Sequence, residues 1–196
     1  TKHKLVHIGL KAKEITQQEI PASNLVFLID VSGSMQDANK LDLLKQGFSL
    51  LTNQLRAQDK VSIVVYAGAS GVVLPPTQGN DKATILAALD KLTAGGSTAG
   101  AEGIELAYKV AAENYKKNGN NRVILATDGD FNVGISTDDQ LVKLIEEKRK
   151  SGVFLTVLGF GEGNLQAEKM EKLADNGNGN YAYVDNLMEA KKVLVN

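Results

Sequence analysis

The sequence predicts an α/β fold: a doubly wound, Rossmann-like, mainly parallel six-stranded sheet with one antiparallel edge strand and helices on both faces. Three observations predict it. Short continuous apolar runs alternate along the chain with longer segments of helical periodicity, which is the pattern of strands joined by crossover helices. The apolar runs are too unbroken for strands with one wet face, so they read as strands buried on both sides. Two of them, 25–29 and 123–126, end directly in polar residues, Asp30 and the pair Thr127-Asp128. In open parallel sheets ligands bind outside the carboxyl ends of the strands, so function is sought at those residues.

Each element follows in order. Residues 1–23 stand apart: Leu5, Val6 and Ile8, then Lys11 and Lys13, form a partly alternating strand, and Pro21-Ala22-Ser23 a linker. This segment is expected to be an added edge strand or the stub of a neighbouring domain, leaving 24–196 as the main domain. After the first strand, Leu41, Leu44, Phe48, Leu51 and Leu55 recur at spacings of 3, 4, 3 and 4, an amphipathic helix of about four turns. Val61 to Tyr66 is the second strand. Gly71 to Leu74, stopped by Pro75-Pro76, is short and glycine-flanked, as suits an edge strand.

Ile85, Leu86 and Leu89 mark a short helix, and Ile104, Ala107, Tyr108, Ala111 and Tyr115 a long one. Val123 to Ala126 is the next buried strand. Leu141, Leu144 and Ile145 form a charged surface helix, closed by Gly152 before the strand Val153 to Leu158. A weak helix around Met170 and Leu173, a strand at Tyr181 to Val184 and a last helix through Leu187, Ala190 and Leu194 complete the pattern. Right-handed crossovers between parallel strands leave few arrangements besides the doubly wound one.

Composition removes whole classes of function. A chain of 196 residues fits one domain and buries a core without disulfides or metals. Its 43% hydrophobic and 23% charged residues are those of a globular protein rather than a disordered one. The formal net charge of −1 offers no basic excess for nucleic acid or an anionic membrane surface. No apolar run reaches the roughly 18 residues of a membrane-spanning helix. Cysteine is absent, which excludes disulfides, thiolate zinc sites and cysteine nucleophiles. Only His3 and His7 exist, so histidine-based hydrolysis has almost nothing to work with. The chain opens Thr1-Lys2-His3-Lys4 without Met and is read as cut from a longer protein, its targeting segment lying outside it.

The chemistry sits after the first strand, in Asp30-Val31-Ser32-Gly33-Ser34-Met35. An Asp and two hydroxyls, each two residues apart, are brought together at a strand's carboxyl end. They supply hard oxygen ligands, which favour Mg²⁺, Mn²⁺ or Ca²⁺ over zinc or copper. Gly33 is expected to turn the backbone tightly so that both hydroxyls point inward. Gly95-Gly96-Ser97-Thr98 lies just before the long helix, its glycines permitting close backbone approach. Thr127-Asp128-Gly129 places a second carboxylate on the rim that carries Asp30. Taken singly, the serines read as helix caps and Asp128-Gly129 as a turn; together the three loops converge on one cation.

Asp30 to Ser34, with Thr98 and Asp128 at these places in the strand order, resembles the metal-ion-dependent adhesion site of von Willebrand factor type A domains. The likeness covers roughly residues 24–196, and the phrase from Asn24 to Met35 is most similar to the bacterial branch of that family. The resemblance implies that Ser32 and Ser34 bind the metal through their hydroxyls and that Asp30 holds the site, often through a water. It implies that Thr98 and Asp128 share the other positions, Thr98 directly when ligand is bound and Asp128 then behind water. The sixth position is left for a Glu or Asp carboxylate of a partner protein. Two carboxylates formally balance a divalent cation, so with neutral hydroxyls as the remaining ligands the metal stays electrophilic towards an incoming carboxylate.

Competing motifs fail on a missing partner. Asp128 to Asn132 begins like a calcium-binding EF-hand loop, but Val133 stands where glycine is required and Asp139 where glutamate is. Gly159-Phe160-Gly161-Glu162-Gly163 lacks the dinucleotide spacing, and no GxxxxGK[ST] nucleotide loop exists. Phosphoryl transfer through Asp30 would want a second Asp where Ser32 stands, and a Ser nucleophile would want a His base. The expectation is therefore a non-enzymatic, metal-dependent protein-binding module for adhesion or complex assembly. Mg²⁺ is the first choice of ion, and the bacterial relatives imply a place outside the cytoplasm. The alternative is a magnesium-dependent hydrolase or phosphotransferase using the same oxygens, with Asp130 as its sole candidate base.

Overall fold

The computed structural model describes residues 19–67, 69–96, 100–129, 138–161 and 166–195. The expected strand around Leu5 to Ile8 lies outside the described residues. Ser23, assigned above to a linker, already begins the first strand.

Six strands form one sheet: β1 (Ser23–Asp30), β2 (Lys60–Tyr66), β3 (Ser70–Gln78), β4 (Asn120–Thr127), β5 (Phe154–Phe160) and β6 (Tyr181–Val184). Their spatial order is β3-β2-β1-β4-β5-β6, with every neighbouring pair parallel except β2 and β3. The chain winds outward from β1 to one edge and then returns to β4 to wind to the other. The switch point lies between β1 and β4, where doubly wound sheets open a crevice at the strand ends.

Helices cover both faces: α1 (Leu43–Gln54), α2 (Lys82–Asp90), α3 (Gly100–Glu113), α4 (Asp138–Lys148), α5 (Ala167–Asn176) and α6 (Leu187–Leu194). The two faces of β1 divide the core by the period of a strand. Leu25, Phe27 and Ile29 enter the cluster made with α1, α2 and α6. Val26 and Leu28 enter the cluster made with α3, α4 and α5. Phe27 stacks on Phe48 of α1 with ring centroids 4.2 Å apart, fixing that helix over the first strand. On the opposite face Gly103 lets α3 approach the sheet, since an added Cβ there would lie 2.9 Å from the Tyr66 Cβ.

Two expectations need correction. The edge strand does not stop at Pro75-Pro76 but continues through both to Gln78. Its register against β2 shifts twice, between Val61 and Ile63 and again between Ile63 and Val64. An edge strand tolerates proline because the missing N–H need not serve a neighbour, and bulges absorb the misfit. The helix expected from Leu41 is also not uniform. A π-helical turn over Ala38–Asp42 precedes α1, so Leu41 belongs to a wider turn than its spacing implied. Such wide turns displace side chains from the regular helical face.

Candidate metal centre

Asp30 is the last residue of β1 and is fully buried. Three donors converge on its carboxyl group. The Ser32 N–H donates to Oδ1 at 2.8 Å. The Tyr66 hydroxyl and the Thr127 hydroxyl donate to Oδ2 at 3.2 and 3.0 Å. The topology explains the last two, because β1 lies between β2 and β4 and Asp30 pairs in register with Tyr66. Burial pushes the Asp30 carboxyl up from its ordinary value, the hydrogen bonds from Ser32 and Thr127 pull it back, and the nearby Asp128 charge adds to the rise. Burial first, and then the Asp30 charge, drive the Tyr66 phenol well above its ordinary value, so it stays a protonated donor.

Beyond Asp30 the chain makes a 3₁₀ turn, Gly33–Gln36, anchored by the fully buried Met35. Two backbone bonds lock this turn to the loop before α3: Gly33 N–H donates to Gly96 O at 3.2 Å, and Gly95 N–H donates to Val31 O at 2.7 Å. The close approach of this loop is thus present, although a Cβ on Gly95 would meet nothing within 4 Å. The role expected of Gly33 is not. Its backbone avoids the left-handed region, and an added Cβ would meet only Gly96 O, at 3.8 Å. The left-handed residues are instead Gly96 (φ 89°) and Gly129 (φ 100°), which flank the site.

The Ser32 side chain makes no capping bond to the turn it precedes. Its Oγ lies 3.0 Å from the Ser34 Oγ instead. The cap reading of these serines therefore fails for Ser32. Asp128 follows β4 directly and is 3% exposed. Thr98, and Asp130 of the alternative reading, lie outside the described residues.

One participant is absent from the sequence expectations. Lys40, on the π-helical turn, donates from Nζ to Ser34 O at 2.8 Å and to Asp128 Oδ2 at 3.0 Å. One ammonium therefore reaches both the serine loop and the end of β4. A faint signal for it exists in the sequence. Lys40 precedes the buried Leu44 by four residues and so extends the apolar stripe of the helix by one turn. Lysine at such a position suggests a buried stem with a partner for its head. Tyr66 was missed as a donor because its apolar strand gives no cue to the neighbour of its hydroxyl.

The donor set is hard oxygen throughout, from two carboxylates and two hydroxyls on adjoining loops, and it fits Mg²⁺, Mn²⁺ or Ca²⁺. Among the described residues no three His, Cys, Asp or Glu side chains gather as metal ligands. A cation here consequently depends on hydroxyl oxygens as well as on charge.

Fold and site together define a doubly wound domain with an oxygen-rich cradle at its topological switch point. The chain matches the von Willebrand factor type A domain over residues 24–195 and belongs to that family. Domains of this family generally mediate protein–protein interaction, are commonly non-enzymatic and often bind a divalent metal. The uncharacterized protein YfbK of Escherichia coli is 48% identical over 97% of this chain. This chain spans 33% of that relative's length. An aerotolerance-related membrane protein from Bacteroides fragilis has the same fold, with a TM-score of 0.71, 23% identity and coverage of 88% of this chain and 96% of that one. Manganese-loaded TRAP protein of Plasmodium vivax matches with a TM-score of 0.70 and 19% identity, over 89% of this chain and 74% of that one. Among the described residues no helix is long and apolar enough to cross a membrane.

Proposed function

We propose that this domain binds a partner protein through a divalent cation, Mg²⁺ first, held by Asp30, Ser32, Ser34, Thr98 and Asp128. The observation that carries the reading is the pair of serine hydroxyls, 3.0 Å apart and with Ser32 making no capping bond, beside a buried carboxylate already clamped by three donors. A cation held there supplies an open coordination position for a carboxylate oxygen. Ser32 and Ser34 bind it through their hydroxyls. Asp30 is buried too deeply to meet a partner itself, so it orients Ser32 and contributes charge. Asp128 supplies the second carboxylate, and Thr98 the remaining oxygen.

Neutral hydroxyls matter to the outcome. With only two carboxylates the cation is formally balanced and still attracts an acidic side chain from outside. The Plasmodium vivax protein of the same fold is manganese-loaded, which supports a divalent ion here. The likeness to a Bacteroides fragilis membrane protein supports a place outside the cytoplasm.

The test is a screen of immobilised peptides carrying single Glu or Asp residues, probed with the domain in Mg²⁺ or in EDTA. Peptides retained in Mg²⁺, lost in EDTA, lost on Glu→Gln exchange and lost with Ser32→Ala domain support the reading. Retention that is equal in Mg²⁺ and EDTA contradicts it.

A further inference from the structure

We infer that Lys40 is a tethered counter-cation that competes with the metal for Asp128 and thereby sets the affinity of the site. The inference rests on the metal reading above and goes beyond it, because it assigns a residue that weakens metal binding.

The geometry is that of a built contact rather than a surface lysine at rest. The Nζ atom holds two partners at once, Asp128 Oδ2 at 3.0 Å and Ser34 O at 2.8 Å, with Asp37 Oδ2 at 3.8 Å. The Lys40 side chain is only 13% exposed, whereas an ordinary surface lysine keeps its head in water. Its stem crosses Gly161, just past the end of β5. A Cβ on Gly161 would lie 2.5 Å from the Lys40 Cε and 3.0 Å from its Cγ. Gly161 has φ +84°, and its carbonyl accepts from the Tyr183 hydroxyl at 3.0 Å. The end of β5 is thus shaped to let this one side chain pass.

The electrostatics follow from the same contacts. Asp30 and Asp128 bring two carboxylates to the site and the ammonium offsets one of them, while Asp37, 75% exposed and 3.8 Å from Nζ, is screened by solvent. An opposite charge within about 4–6 Å shifts a carboxylate's own ionic equilibrium by one to three tenfold steps, and the same attraction must be overcome by any cation that replaces the ammonium. A divalent ion reaching Asp128 therefore meets a cation already hydrogen-bonded to one of its oxygens. It must displace the ammonium or tolerate its repulsion, and in both cases affinity falls. When metal and ammonium are both present the formal charge becomes +1, which favours an anionic ligand. Weak metal binding and strong carboxylate attraction are then two consequences of one residue.

The opposing possibility is that Lys40 merely orients Asp128 for the metal, in which case its removal weakens binding. Calorimetric titration of Mn²⁺ and Mg²⁺ into EDTA-stripped domain separates the two, using wild type, Lys40→Met and Lys40→Gln. Lys40→Gln keeps an N–H donor without charge and covers the case in which Lys40→Met does not fold, with circular dichroism as the check. Both neutral variants are expected to bind Mn²⁺ at least about tenfold more tightly than wild type. They should also show a lower melting temperature without metal and a larger rise on adding it. Saturable binding in the variants with none in wild type also supports the inference. Equal or weaker binding in the variants overturns it and leaves the metal site standing. Silence in all three proteins, with excess acetate as well as without it, overturns the metal reading, and this inference with it.

Discussion

The Thr127 hydroxyl donates to Asp30 Oδ2 at 3.0 Å, tying together the carboxyl ends of β1 and β4 across 97 residues of sequence. The Thr127 Oγ1 in turn accepts the Gly129 N–H at 3.2 Å, so Thr127 also fixes the chain on the far side of Asp128. With Tyr66 holding the same carboxylate oxygen from β2, Asp30 is gripped by both neighbouring strands. A carboxylate committed to three donors acts as the keystone of the rim.

Replacing Thr127 with Val keeps the shape of the side chain but removes both bonds. Hydrogen bonds to charged groups contribute about 1.5–3 kcal/mol each. Thr127→Val is therefore expected to lower unfolding free energy by about 2 kcal/mol, read from the urea midpoint, with weaker metal affinity. A loss below about 0.5 kcal/mol, within the range of ordinary surface substitutions, would mean that the β1–β4 tie does not hold the rim.

Gly103 and Gly71 make a paired test of the packing. A Cβ at Gly103 meets Tyr66 at 2.9 Å, whereas one at Gly71 meets nothing within 4 Å. Gly103→Ala is expected to destabilise by about 1–3 kcal/mol through overpacking. It should also loosen metal binding by shifting the Tyr66 donor. Gly71→Ala, on the edge strand, is expected to be neutral or to stabilise by up to about 1 kcal/mol. Thermal unfolding of the two proteins side by side checks the contrast, and equal losses would refute it.

At the amino end of the sheet, Asp59 supplies a pH prediction away from the metal centre. It accepts from Arg56 N–H at 2.7 Å, Arg56 Nε at 3.0 Å and Ser23 N–H at 2.8 Å. Burial pushes its carboxyl up, but the Arg56 and Ser23 bonds prevail and hold it below the ordinary value of 3.8. A folded value below the unfolded one means stability that is present above the unfolded value and lost as pH falls through the folded one. The domain should thus lose stability as pH drops below about 4. Asp59→Asn should remove about 2 kcal/mol at neutral pH and flatten that acid limb. An unchanged limb in urea unfolding across pH 2–6, a window spanning the ordinary carboxylate range, would refute the assignment.

Periodicity made the sheet and its helices readable, because buried strands and amphipathic helices impose their own spacing on hydrophobic residues. Asp30, Ser32, Ser34 and Asp128 were readable for a second reason: they sit where apolar strands end. What escaped depends on contacts distant in sequence. Lys40 meets Asp128 across 88 residues, and its place four residues before Leu44 hints at a buried stem without saying which group its head meets. The passage of β3 through Pro75-Pro76 escaped because proline's tolerance depends on whether a strand has a further neighbour, which strand order alone decides. Gly33 misled for a related reason. Glycine marks a needed conformation or a close approach only in the right surroundings, and here those needs fall on Gly96, Gly129 and Gly161.

Whether this rim holds a divalent cation through its hydroxyls is decided by titrating Mn²⁺ into EDTA-stripped domain by calorimetry. The double variant Ser32→Ala/Ser34→Ala serves as control, and the titration is run with and without excess acetate as a stand-in for a partner's carboxylate. Saturable one-site binding is expected, tightened by acetate and abolished in the double variant. Binding that survives loss of both hydroxyls, or no binding even with acetate present, would contradict it.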